Sequence, residues 1–254
     1  MVLERSFVLL DRVGELTERR IWDQGINTWD DFLDADFVSP FSRQRKETAD
    51  VTLEQAKSAL FQRSAGFFAD RMPNREVWRL YPRFREDTVF LDIETTGLSR
   101  HSAITVVGLG RADRFRALVR GQDLTRQELA SELEDARMLV TFNGASFDLP
   151  MLRGQIAAPG LDLPHLDLRF LARRIGLSGG LKHIERELGL KRDREFAMMT
   201  GADAVHLWNL WNRRGNEKAL DLLLMYNEAD VMNLLEVADI VCDQVANVTF
   251  PGRE

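Results

Sequence analysis

Asp92 and Glu94 stand two residues apart at the end of the apolar run Phe90-Leu91-Asp92-Ile93-Glu94, and Thr95-Thr96-Gly97-Leu98 follows at once. In a strand, residues two apart share a face, so these carboxylates point together while Ile93 turns to the other side. Two carboxylates that close repel, and each is driven toward its protonated form unless a cation shares the space. Hard oxygen ligands favour magnesium or manganese over zinc. An Asp-x-Glu pair at a strand end is often only a solvated edge. Its embedding in an apolar strand is what favours chemistry here.

Two further stretches supply carboxylates. Thr141-Phe142-Asn143-Gly144-Ala145-Ser146-Phe147-Asp148 follows an apolar strand and opens a helix. Ligands of open α/β sheets bind at such strand-to-helix junctions, although Ser146 or Asp148 acting as a plain helix cap explains the same residues. Tyr226 and Asp230 lie four apart in a helical pattern that includes Leu222, Leu223, Leu234 and Leu235, so they look at one point, while Glu228 points elsewhere. Taken alone, that pair reads as a core ring and a surface charge. Taken in chain order, Asp92, Glu94, Asp148 and Asp230 bring four carboxylates from two strand ends and a helix. That is enough for two hard cations roughly 4 Å apart, the separation used for in-line displacement at phosphorus. A free tyrosine titrates near pH ~10, so Tyr226 suits holding a water better than deprotonating it.

The elements that must position these groups separate into three regions. Residues 7–34 form a short helical stretch punctuated by Gly14 and Gly25, with a helix from Glu15 to Gln24 and another opening at Thr28-Trp29-Asp30-Asp31. In the connecting residues 36–86, Ser39-Pro40 breaks the chain and Thr52-Leu53-Glu54-Gln55 has a capping-box pattern that predicts a helix start. From residue 87 the pattern predicts strands over Thr88–Ile93, Ala103–Leu109, Arg114–Val119 and Met138–Phe142. Helices are predicted over Thr125–Asp135, Phe147–Ile156, Leu181–Leu188, Ala202–Trp211 and Asn216–Val245. The expected fold is α/β, a mixed sheet flanked by helices. The expected organisation is 1–35, 36–86 and 87–254. Gly108-Leu109-Gly110 lacks the third glycine of a dinucleotide fingerprint and carries no expectation.

Composition narrows the setting. The chain has 254 residues, a net charge of −6, 44% apolar and 29% charged residues, as for an ordinary globular protein. No run of eighteen apolar residues is present, so no membrane span is expected, and the opening residues lack a signal-peptide layout. Cys242 is the only cysteine, which excludes an internal disulfide and a cysteine-rich zinc site. A cytoplasmic protein is the expectation. The acidic balance argues against coating nucleic acid by bulk charge, but not against gripping one strand locally. Arginine supplies nearly all the positive charge, since only five of the 34 basic residues are lysine. Its guanidinium fork suits phosphate.

Asp92-Ile93-Glu94-Thr95-Thr96-Gly97, Asn143-x-x-x-Phe147-Asp148 and Tyr226-x-x-x-Asp230 resemble the three motifs of the DnaQ-like 3′→5′ exonucleases, a branch of the ribonuclease-H-like superfamily. The last is similar to the tyrosine-bearing DEDDy subtype; the histidine of the other subtype would fall at Met225. The resemblance is closest to the stand-alone prokaryotic domains and spans about residues 86–245. It implies a ribonuclease-H-like sheet with a small N-terminal helical element. It also implies two magnesium or manganese ions on Asp92, Glu94, Asp148 and Asp230, with Tyr226 beside them. The implied substrate is single-stranded nucleic acid with a free 3′ end, DNA favoured, shortened with release of nucleoside 5′-monophosphates. Thr95, Thr96, Gly97, Leu98, Asn143, Phe147 and Lys182 are the expected substrate contacts; Lys182 follows Gly179-Gly180 at a helix start, where a phosphate can sit. Asp167 is a further candidate for the acidic centre or for a cap. Residues 7–34 resemble a helix–hairpin–helix element in which Arg12 takes the place of the first hairpin glycine. A ribonuclease, a structure-selective nuclease and a non-catalytic nucleic-acid-binding module are the alternatives.

Overall fold

A computed structural model of the chain describes residues 2–97, 99, 101–192, 196, 198–250 and 252. It divides into two compact units, Met1–Arg85 with Cys242–Glu254, and Glu86–Val241. No helix among the described residues is long and apolar enough to cross a membrane.

The first unit holds α1 (Glu15–Trp22), α2 (Trp29–Asp34), α3 (Arg43–Phe61), α4 (Ala65–Ala69) and α5 (Tyr81–Phe84). Sequence pattern separates residues 1–35 from 36–86, whereas the aromatic core runs through both. Phe32 lies 5.5 Å from Phe7 and 5.3 Å from Phe41, and Trp29 stacks on Phe68. Phe250 joins them against Trp22 and Trp78. The capping-box reading at Thr52 fails. Helix α3 begins at Arg43, where the Ser42 side chain accepts from Arg45 N, and Thr52 sits inside it with its hydroxyl donating to Thr48 O.

Before α1 there is a three-residue 3₁₀ turn, Leu3–Arg5, and then turns rather than a helix. The cause is local: the N–H groups of Phe7 and Val8 donate to the Glu18 carboxylate at 2.6 and 3.2 Å instead of to a helical ladder. Arg12 nonetheless adopts φ 56°, the left-handed turn that favours glycine. Beneath this, Arg79 donates to Glu18 at 2.7 and 3.0 Å, to Glu76 at 2.7 Å and to Ser6 Oγ at 2.7 Å. All three charged residues are buried.

The second unit is built on a five-stranded sheet of order β3-β2-β1-β4-β5, with β1 Thr88–Thr95, β2 Ile104–Gly110, β3 Phe115–Val119, β4 Met138–Thr141 and β5 His165–Asp167. β1 pairs antiparallel with β2 and parallel with β4, which makes the sheet mixed as the pattern predicts. The three-residue β5 is too short for alternation to announce it. β1 is covered on both faces, hence the unbroken run Val89-Phe90-Leu91. Its odd-numbered side chains Val89, Leu91 and Ile93 enter a core with Leu129 and Leu133 of α6 (Arg126–Leu133) and Leu149 and Leu152 of α7 (Asp148–Gln155). By the pleat, Asp92 and Glu94 turn to the opposite face. There Val106, the register partner of Glu94, packs with Trp208, Leu223 and Tyr226 from the helices Gly201–Arg214 and Glu217–Thr249. The second unit also holds α8 (Leu168–Ala172) and α9 (Leu181–Glu187).

Gly108 and Gly110 acquire a purpose here. A Cβ on Gly108 would fall 2.0 Å from Asn227 Oδ1, and one on Gly110 would fall 2.6 Å from Val231 Cγ1. Two missing side chains let the long helix settle onto β2.

Arg79→Ala leaves Glu18 and Glu76 buried without their cation. A loss of about 3–5 kcal/mol is expected for breaking such a network from one side, read as a lower urea midpoint by tryptophan fluorescence. A midpoint matching the parent chain contradicts this account of the first unit.

Candidate metal centre

β1 and the long helix meet at three carboxylates. One oxygen from each of Asp92, Glu94 and Asp230 lies within 4.8 Å of the others. Glu94 and Asp230 are each 8% exposed, and Asp92 is partly exposed. Asp148, the first residue of α7, is buried beside them. Its Oδ1 accepts from the N–H of Ile93, the residue between Asp92 and Glu94, at 3.2 Å. It is not part of the 4.8 Å group, yet its charge is felt by both Asp92 and Glu94. Tyr226 lies one helical turn before Asp230 on the long helix, close enough for its phenol to feel that carboxylate's charge.

The electrostatics follow from this crowding. Burial and then the charges of Asp148, Glu94 and Asp230 push the Asp92 carboxyl well above the ordinary range, against the opposing hydrogen bond from Asn227. Burial, Asp230 and Asp148 raise Glu94 to about 8, with Lys182 opposing. Burial raises Asp148 to about 7, restrained by its own N–H and that of Ile93. Asp230 is raised by burial, although Arg192 and Lys182 pull it down. The Tyr226 phenol is pushed upward by burial and by Asp230 and Glu94, so it keeps its proton. An all-oxygen, buried cluster short of positive charge fits a divalent cation.

Two basic side chains face the cluster. Arg192 donates to Glu185 at 3.0 and 2.6 Å and also to Asp230 Oδ1. Glu185 in turn accepts from Asn233 Nδ2 at 3.0 Å. Lys182, near the start of α9, lies 4.7 Å from the Tyr226 ring centroid and donates to the carbonyls of Phe196 and Met199.

The other expected substrate contacts are distributed as follows. Thr95 is buried, with its hydroxyl donating to Gly97 O at 2.6 Å, and Thr96 is exposed. Gly97 leaves little room, since a Cβ there would lie 3.2 Å from Ser102 Oγ. Leu98 lies outside the described residues. Phe147 packs against the sheet core as well as preceding Asp148. Asn143 adopts φ 67° and receives Arg169 on its Oδ1 at 2.6 Å.

Asp167 serves as a cap rather than as a member of the acidic group. Its carboxylate accepts from the N–H groups of Asn143 at 2.8 Å, Ala145 at 3.0 Å and Arg169 at 3.1 Å, which fixes the loop leading to Asp148. His165, pushed down to about 4 by burial, is neutral and contacts Thr141 Oγ1 at 2.8 Å.

Sequence reasoning misses Asn227, Arg192 and Glu185. Asn227 did leave a signal: it is an amide in a helical stripe with Leu223, Val231 and Leu234, all buried. Arg192 and Glu185 carry no such mark, because a charged residue in a polar stretch is ordinary.

Comparison with known proteins agrees with this architecture. The profile of the RNase_H superfamily matches residues 89–242, more than half of the chain. The chain belongs to that superfamily. No curated protein matches it significantly. Among solved structures, the fold is similar to the family B DNA polymerase from the hyperthermophilic archaeon Pyrobaculum calidifontis, at 16% identity and a TM-score of 0.50, over 63% of this chain and 26% of that one. The chain thus spans about a quarter of the polymerase's length. It also matches the Aedes aegypti Nibbler EXO domain at 16% identity and a TM-score of 0.46, over 68% of this chain and 87% of that domain.

The raised carboxyls set a pH dependence. In the folded chain they hold protons that they release on unfolding, so stability is full below the unfolded values near ~4. It falls as pH rises through about 7 for Asp148 and about 8 for Glu94. With chelator present, the melting temperature should be lower at pH 8.5 than at pH 6. Magnesium or manganese should restore it far more at pH 8.5. Equal melting temperatures in all four conditions contradict this assignment of the cluster.

Proposed function

We propose that the chain is a metal-dependent 3′→5′ exonuclease acting in the cytoplasm on single-stranded nucleic acid, with DNA as the favoured substrate. The observation that carries the reading is the convergence of Asp92, Glu94 and Asp230 from β1 and the long helix, with Tyr226 one helical turn before the last. The three ordered motifs and membership of the RNase_H superfamily support it.

In this reading Asp92, Glu94, Asp148 and Asp230 hold two magnesium or manganese ions. Those ions, when bound, supply the positive charge that stabilises in-line displacement at the phosphodiester. Tyr226, protonated and one helical turn from Asp230, orients the attacking water through its hydroxyl. Lys182 adds positive charge beside the Tyr226 ring, where a phosphate would sit. Thr95, Thr96, Gly97, Asn143 and Phe147 line the path of the terminal nucleotide, which leaves as a nucleoside 5′-monophosphate. A free single-stranded end reaches such a centre without having to fray from a duplex.

A second reading, a nucleic-acid-binding module without catalysis, has one observation in its favour: Arg192 already engages Asp230. One experiment separates the two. Single strands of matched DNA and RNA sequence, labelled at either end, are incubated with manganese or with chelator. Stepwise, chelator-sensitive shortening from the 3′ end is expected, faster on DNA; faster RNA turnover makes the chain a ribonuclease. Binding without turnover in any divalent cation favours the module. Asp92→Asn and Asp230→Asn should each lower the rate by on the order of 10²–10³ or more, and the folded state should survive because a buried repulsion is removed. Tyr226→Phe should slow turnover roughly ten- to hundredfold with strand binding unchanged. Parent-like rates in either carboxylate variant remove the proposed centre.

A further inference from the structure

Beside the proposed ligands, the long helix places a polar side chain where packing alone would select an apolar one. Asn227 is fully buried, on the same face as Leu223, Val231 and Leu234. Its Nδ2 donates to Asp92 Oδ2 at 3.0 Å, while its Oδ1 is buried with no hydrogen-bond partner among the described residues. An unpaired buried carbonyl keeps its full desolvation penalty. A leucine would avoid that cost and still fill the stripe. The donor toward Asp92 is the one interaction that offsets it.

The strand behind supplies a wall. Gly108 is the register partner of Asp92 on β2, and a Cβ there would stand 2.0 Å from Asn227 Oδ1 and 2.8 Å from Asn227 Cγ. The amide fills the space that a side chain at 108 would take. It lies between the β2 backbone and the Asp92 carboxylate.

From this arrangement we infer that Asn227 is a positioning residue for the cation: it fixes one oxygen of Asp92 and thereby leaves the other in a set direction beside Glu94 and Asp230. The inference rests on the reading of this cluster as a divalent-cation centre. Groups that hold a ligating carboxylate from behind typically change cation affinity or activity by about 10–100-fold when removed.

Manganese binding to the full chain, read from the electron paramagnetic resonance signal of free Mn²⁺, tests it without relying on catalysis. Asn227→Ala and Asn227→Leu should both weaken Mn²⁺ binding about 10–100-fold, with the affinity for a single strand in chelator unchanged. Asn227→Leu keeps the packing volume and removes the orphaned carbonyl, so it decides the matter if the alanine variant does not fold. Mn²⁺ affinity within twofold of the parent in Asn227→Leu overturns the positioning role while leaving the centre standing. A parent chain that binds no Mn²⁺ defeats both the role and the cation centre.

Discussion

Mutual repulsion among buried carboxylates is the constraint around which the second unit is organised. Two unit charges 4 Å apart in a protein environment repel by about 4 kcal/mol at an effective dielectric near 20. Three carboxylates mutually within 4.8 Å, with Asp148 adjoining, would carry a repulsion of the same order as the whole stability of a typical domain if all were ionised. The folded chain answers with protons and with the two basic side chains it has at hand, Arg192 and Lys182. Neither is a full answer: burial first, and then the charges of Asp230 and Asp148, still carry Glu94 to about 8, and burial carries Asp148 to about 7.

Holding such a cluster together needs a scaffold that cannot relax away from it. The pleat of β1 sends Val89, Leu91 and Ile93 into one apolar layer, so Asp92 and Glu94 cannot rotate out without dragging that layer with them. On the other face the long helix is held close by the missing side chains at Gly108 and Gly110. Its four-residue spacing then brings Tyr226 and Asp230 to the same place. Asp148 is added by a loop whose N–H groups are held by Asp167 and whose helix begins against the N–H of Ile93. Hydrophobic burial thus acts against charge repulsion through rigid elements, and the acidic face is what remains exposed to the bargain.

What could be read from residues alone were the parts governed by a short period. Period two aligned Asp92 with Glu94, period four aligned Tyr226 with Asp230, and the strand–turn–helix change located Asp148. The mixed sheet followed from three strands in succession and then a fourth after a helix. What escaped reading depends on distance in the chain. Asn227 bonds Asp92 across 135 positions, and Arg192 reaches Asp230 across 38. β5 has only three residues, too few for a pattern, yet its Asp167 fixes the loop before Asp148. The ring contacts of the first unit, such as Phe7 with Phe32 and Phe32 with Phe41, likewise have no local period to encode them.

The two buried charge networks of this chain make an instructive contrast. In the first unit, Glu18 and Glu76 surround Arg79, and the Glu18 oxygens also receive the N–H groups of Phe7 and Val8. There the donors match the acceptors. In the second unit, the cations that face Asp92, Glu94, Asp148, Asp230 and Glu185 among the described residues are Arg192 and Lys182, and Arg192 makes its paired contact with Glu185 rather than with the cluster. A chain able to close one acidic network with matched donors has left the other short of positive charge. A structural salt bridge has no use for such a deficit, since every unpaired buried carboxylate weakens the fold. A centre that must take up cations and release them does, because the deficit is the attraction that draws them in.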